Sequence, residues 1–245
     1  MTLGTGRSLW VTGGGSGIGR AAARAAARSG WAVAVSGRRK EALESVVNEI
    51  TNDGGTAVAL PLDARDRTAV VTTTQSLLDL FGSLDGLVLS TGRNARRRRW
   101  GDQDMADFED IVATNLTATA TVLDAALPHL KASNGTIVVV SSYAGWSHQQ
   151  NAGVAYSASK TALASLVRTV NQEAGSSVRA CHLCPGDVAT EFLDQRPQVP
   201  SAAARAEMLK PDDVARSIQF VLDSPNHVRF DEVVITPVSQ NLPKE

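Results

Sequence analysis

Short apolar runs alternate with longer stretches of helical period along the whole chain. Residues 8–12, 32–36, 56–61, 86–90, 136–141, 178–183 and 232–236 read as strands. Helical periodicity fills 18–29, 39–52, 67–81, 105–130, 156–174 and 211–222 between them. Strands separated by helices of this length cannot close hairpins, so they pair in parallel through right-handed crossovers. The expected fold is therefore α/β, a doubly wound parallel sheet of about seven strands flanked by helices on both faces. Ligands of such sheets bind beyond the carboxyl ends of the strands, where the unusual residue clusters of this chain fall.

Composition narrows the class. The chain has 245 residues, 43% hydrophobic and 20% charged, with a formal net charge of -1. No linker or internal repeat divides it, so a single domain over 1–245 is expected. The balanced charge gives no reason to expect nucleic acid or an acidic membrane surface as a partner. No leader is evident before residue 6, and no window reaches the apolar length of a membrane span, which predicts a soluble cytoplasmic protein. Cys181 and Cys184 have a C-x-x-C spacing, but in a strand residues three apart face opposite ways, and no second donor pair is evident. They read as buried thiols, with no metal expected.

The first strand runs into Thr12-Gly13-Gly14-Gly15-Ser16-Gly17-Ile18-Gly19 and then an alanine-rich helix. Glycines let the backbone turn tightly and approach a pyrophosphate, whose charge is favoured by unpaired N–H groups at the helix start. The spacing is Gly-x-x-x-Gly-x-Gly over Gly13, Gly17 and Gly19 rather than Gly-x-Gly-x-x-Gly. After the second strand, an acid would bond the ribose hydroxyls of NAD, whereas a 2'-phosphate needs a cation. The chain reads Ser36-Gly37-Arg38-Arg39-Lys40 there, which favours NADP(H), with NAD(H) as the alternative. Asp63 and Ala64, after the third strand, are placed to meet the adenine, although Asp63 would serve equally as the cap of the next helix.

A second group carries proton chemistry. Tyr156 and Lys160 lie four apart on a helix and so share a face. A free phenol, with a pKa of about 10, is a poor base at neutral pH. A neighbouring ammonium and a cationic nicotinamide would both favour the phenolate. With 2 tyrosines and 5 lysines in the chain, chance supplies this spacing with odds of about 4%. Ser142, at the end of the fifth strand, is positioned to hold a substrate oxygen as charge develops. Asn115 sits inside a helix where asparagine has poor propensity, so its side chain serves another purpose, such as holding a water between Lys160 and solvent.

Taken together from Leu9 to Pro237, these residues resemble the short-chain dehydrogenase/reductase family. The resemblance implies a Rossmann-type fold, an alcohol–carbonyl oxidoreductase and a tetrad of Asn115, Ser142, Tyr156 and Lys160. It also implies that Pro185, Gly186, Val188 and Thr190 line the nicotinamide, with Thr190 holding its carboxamide, and that about 190–210 forms a flap over a small-molecule substrate. The family's Asn-Asn-Ala-Gly at the fourth strand's end is replaced by Leu89-Ser90-Thr91-Gly92, so only Gly92 is kept to meet the cofactor there. The stretch 227–237 is similar to that of members reducing small aldehydes and keto acids to hydroxy acids. A homotetramer is the family's common assembly and suits an edge strand at 232–236.

Two loops bear on the substrate. Arg96 to Arg99 form a run of four on the entry side, either binding an anionic group or forming a solvated or subunit-contact face. Trp146, His148 and Gln149 are expected to shape another wall, with His148 as a conceivable second proton donor. Other uses of the same fold would be a catalytically silent NADP(H) sensor, or an epimerase or dehydratase drawing on His148 or Asp187.

Overall fold

The computed structural model describes residues 6–240. Residues 1–5, read above for a leader, and residues 241–245 lie outside the described residues. Seven strands appear in chain order: β1 (Ser8–Thr12), β2 (Ala32–Gly37), β3 (Thr56–Pro61), β4 (Gly86–Leu89), β5 (Thr136–Val140), β6 (Arg179–Pro185) and β7 (Glu232–Ile235). The helices are α1 (Gly17–Arg28), α2 (Lys40–Asn52), α3 (Arg67–Phe81), α4 (Met105–Val112), α5 (Ala118–Ser133), α6 (Tyr143–Trp146), α7 (Val154–Glu173), α8 (Ala202–Ala206) and α9 (Pro211–Leu222). All seven strands pair in parallel in one sheet, ordered β3-β2-β1-β4-β5-β6-β7. The order reverses between β1 and β4, and a crevice opens beyond their carboxyl ends.

The strands are apolar almost without interruption because both faces of the sheet are covered. On one face Val11, Val35, Val138 and Leu183 pack against Ala23 and Ala26 of α1, Val46 of α2 and Ile218 of α9. On the other, Trp10, Leu87, Ile137 and Val139 meet Leu77 of α3, Ala126 of α5 and Leu163 of α7. Each fully buried valine or leucine contributes about 1.5–3 kcal/mol, and together they hold the strand ends that carry the site.

Three expectations are corrected by packing. The helix read as continuous over 105–130 is broken in its hydrogen bonding by a π-helical turn, Ala113–Thr117, between α4 and α5. The helical stretch Met105–Ser133 is also long and apolar enough to cross a membrane, contrary to the sequence reading. Its apolar face has another use here: Val122, Ala126 and Leu130 are buried against the sheet. Finally, Cys181 and Cys184 do face opposite ways, but Cys184 has company that sequence spacing does not show. His182 and Glu232 are register partners on β6 and β7, and their donor atoms lie within 4.8 Å of one another and of the Cys184 sulfur. Burial, with Glu232 nearby, pushes the Cys184 thiol up to about 12, which keeps it protonated at neutral pH.

Candidate active site

The crevice holds a cavity of about 1490 Å³, above the roughly 300–1,000 Å³ typical of a small-molecule site and roomy enough for a dinucleotide with a second small molecule. Its floor is the glycine-rich turn between β1 and α1. Gly13 adopts φ +68°, and a Cβ there would come within 2.7 Å of the Ser90 carbonyl oxygen, so only glycine lets the turn lie against the end of β4. Ser16 begins α1 without capping it, and no acid stands in the first helical turn. The first N–H groups of α1 are thus left for an anion, beside the cavity-lining Ser16, Gly17 and Ile18. Gly19 is buried at the start of α1.

Arg38 and Arg39, after β2, both line the cavity. Arg39 Nη2 donates to Ser16 Oγ at 3.1 Å, and only a loose 3.8 Å contact with Glu191 offsets its charge. No carboxylate occupies the position expected for ribose recognition. Asp63 and Ala64 also line the cavity. The alternative role for Asp63 as a helix cap is excluded, because Asp66 caps α3 by accepting from Ala69 N at 3.0 Å, while Asp63 accepts from Arg65 N within its own turn. Pro185, Gly186, Val188 and Thr190 line the opposite wall. These residues fit a phosphorylated dinucleotide laid across the sheet's carboxyl edge.

The four residues expected to form the acid-base group converge. Asn115 lies in the π-helical turn and is completely buried. Its Oδ1 accepts from Arg93 N at 2.8 Å, and its Nδ2 donates to Arg93 O at 3.0 Å and Ser159 Oγ at 3.1 Å. Even its carbonyl oxygen accepts from the Thr119 hydroxyl at 2.8 Å. The side chain thereby braces the loop after β4 against α7. Gly92 begins that loop within reach of Lys160 Nζ and Asn115 Oδ1.

Lys160 is buried, and its Nζ donates to the Val140 carbonyl at 3.0 Å while standing 5.9 Å from the centroid of the Tyr156 ring. Burial lowers its pKa to about 8. Tyr156 keeps part of its ring exposed, yet desolvation holds its phenol above the ordinary value. The opposing, phenolate-favouring groups are the Ser142 hydroxyl, which hydrogen-bonds the phenol, then the Arg196 and Arg98 charges. The Lys160 ammonium is directed to a backbone carbonyl beside the ring, and in the cofactor-free protein desolvation outweighs the groups that favour the phenolate. Ser142 also caps α6, its Oγ accepting from Ala144 N at 3.1 Å.

The remaining wall differs from expectation. Gln149 lines the cavity, whereas Trp146 and His148 do not, and Trp146 is half exposed. His148 thus lies outside the cavity lining. The flap folds as a 3₁₀ turn, Glu191–Gln195, followed by α8, and Phe192 sets its ring 5.8 Å from that of Tyr156. Phe192, Gln195 and Arg196 escaped sequence reading because nothing periodic marks them. Their only signal was a position after Thr190 in a loop interrupted by Pro197 and Pro200.

A parallel sheet with a glycine-rich turn at its switch point and a Tyr–Lys pair beside it, the lysine buried, defines an α/β enzyme of the dinucleotide-binding class. The short chain dehydrogenase family profile matches residues 7–200, and the chain belongs to that family of oxidoreductases. An uncharacterized oxidoreductase of Staphylococcus aureus (strain MW2) is 29% identical over 240 residues, covering 97% of this chain and 100% of that one. Among solved structures, an alcohol dehydrogenase from the archaeon Thermococcus sibiricus, complexed with 5-hydroxy-NADP, superposes with a TM-score of 0.87 at 29% identity, covering 97% of this chain and 99% of its own. The closed form of a serine dehydrogenase complexed with NADP+ gives 0.87 at 26% identity, over 97% and 98% of the two chains.

Proposed function

We propose that the protein is an NADP(H)-preferring oxidoreductase that interconverts an alcohol and a carbonyl, with Tyr156 as the proton carrier. The observation that carries this reading is that Tyr156, Ser142 and Lys160 line the same cavity as Arg38 and Arg39, with no carboxylate in the Ser36-Gly37-Arg38-Arg39-Lys40 turn after β2. NADP-bound relatives of the same fold support the cofactor, and the cation pair supports the 2'-phosphate over a free ribose. When bound, the dinucleotide supplies or accepts the hydride.

The chain's own residues do the rest. In reduction the phenol of Tyr156, kept protonated by burial, gives its proton to the carbonyl oxygen as negative charge develops there. The Ser142 hydroxyl holds that same oxygen and stabilises the charge. Lys160, with a pKa near 8, replaces the proton on Tyr156 from solvent at neutral pH. Asn115 keeps the Arg93 loop and α7 in register, so that the tyrosine stays aimed. The exposed edge of β7 and the exposed Phe220 and Val234 support assembly into a homotetramer.

A panel of ketones, aldehydes and keto acids assayed with NADPH tests the reading. Tyr156→Phe should lower kcat/KM by about 10²–10⁴-fold while leaving NADPH affinity within a few fold. Tight NADPH binding with no turnover of any compound by the native protein would instead identify a sensor.

A further inference from the structure

The four consecutive arginines do not share one environment. Arg97 pairs with Asp104 at 2.6 Å, and Arg93, just upstream, pairs with Asp107 and Asp110. Arg99 is exposed and reaches the Asn151 side chain at 3.2 Å. Arg98 alone is buried, with 6% of its surface accessible, and it lines the cavity.

Its guanidinium is held entirely by neutral acceptors. Nε donates to Ala95 O at 2.7 Å, Nη2 to Gln195 O at 2.7 Å and Nη1 to Asn151 O at 3.5 Å. Five N–H groups meet three carbonyls, so donors are left over. Among the described residues Arg98 forms no ion pair. Asp102, whose charge bears on Arg98, spends its Oδ1 on the backbone N–H groups of Arg98 and Arg99. A charge removed from water without a counterion is costly, and such groups normally acquire a partner.

The local fold is also shaped around this side chain. Gly153 adopts φ +97°, and a Cβ there would stand 2.6 Å from the Arg98 Cβ. That glycine immediately precedes α7, and Val154 N donates to Arg98 O at 3.1 Å, which ties Arg98 to the helix that carries Tyr156. The charges of Arg98 and Arg196 both bear on the Tyr156 phenol. Arg196 is neutralised by its ion pair with Asp187, whereas Arg98 forms no ion pair among the described residues.

We infer that Arg98 is a substrate-binding residue that accepts a carboxylate borne close to the reacting carbonyl, so that the protein takes short keto or hydroxy acids. This rests on the proposed alcohol–carbonyl chemistry for the second half of the statement, but the anion site itself stands on Arg98 alone. The same guanidinium ties the loop after β4 to the flap at Gln195, so a bound acid would sit under a closed flap.

The test compares an acid with its uncharged twin. Oxamate and oxamide are titrated calorimetrically into NADP-saturated protein, and kcat/KM is measured with NADPH for a 2-keto acid and its amide. Native protein should favour the acid of each pair. Arg98→Met should weaken oxamate by about 10- to 100-fold, the loss of a charge-assisted contact, with a far smaller change for oxamide. Arg98→Lys, which keeps the charge and loses the fork, should recover part of the difference, and it is read in the same way if the methionine variant does not fold. Parallel losses for acid and amide, or native protein indifferent to the charge, would overturn the assignment and leave Arg98 as a latch between loops. Oxamate bound but no carbonyl reduced would overturn the proposed function and not the anion site. Neutral carbonyls reduced without any preference for acids would do the reverse.

Discussion

Lys160 is placed where it lowers the stability of the fold. Its side chain is buried, and its pKa falls from the ordinary 10.5 to about 8 because water no longer solvates the ammonium. A shift of this size corresponds to about 3 kcal/mol of destabilisation wherever the group is charged in both folded and unfolded states. Replacing Lys160 by methionine removes that penalty and keeps the volume of the stem, while leaving the Val140 carbonyl without its 3.0 Å donor, a loss of about 1 kcal/mol. The cofactor-free variant should therefore be more stable than the native protein at pH 7 by about 1–3 kcal/mol, or roughly 2–10 °C in Tm for a chain of this size. The dependence on pH gives the sharper signature. A lysine with a depressed folded pKa carries its full penalty below about 8, loses it as pH climbs toward 10.5, and carries none above. The stability gained by the variant should fade across that window. Urea denaturation of both proteins at pH 7, 9 and 10.5 measures it, alongside NADPH-dependent turnover, which the variant should lose. A variant less stable than the native protein at pH 7, or a difference indifferent to pH, would refute the placement of a charged amine at this site.

Two further outcomes follow from the carboxylates and cations around the cofactor cleft. Asp66→Ala should cost about 1 kcal/mol in chemical denaturation through loss of the α3 cap, whereas Asp63→Ala should leave stability nearly unchanged and raise the KM for the dinucleotide. Replacing Arg38 and Arg39 together by alanine should raise the KM for NADPH by about 10-fold or more and leave that for NADH within a few fold; equal changes for both cofactors would argue against a 2'-phosphate contact.

Sequence periodicity was enough for the sheet. Each strand lies within about two residues of its expected limits, and α3 occupies the expected 67–81, because apolar runs and helical faces are local properties of the chain. The glycine-rich turn and the Tyr156–Lys160 spacing were legible for the same reason: both are short-range patterns whose chemistry needs particular residue types in a fixed order. Ser142 and Asn115 could be placed on their elements, but the partners of Asn115 could not, since Arg93 and Ser159 lie 22 and 44 residues away.

What the tertiary structure decided is which member of a set of equivalent residues matters. Arg96, Arg97, Arg98 and Arg99 are interchangeable as a sequence, and only packing against Gly153, with acceptors from Ala95, Asn151 and Gln195, buries one of them without an ion pair among the described residues. Burial likewise gives Lys160 its pKa near 8 and gives Tyr156 its raised one, effects that depend on desolvation rather than on spacing. Residue type and order determine where backbone hydrogen bonds and apolar faces go, which is enough for the fold and the class of chemistry. The electrostatic environment of each charge comes from groups distant in sequence, so only the packed chain decides it.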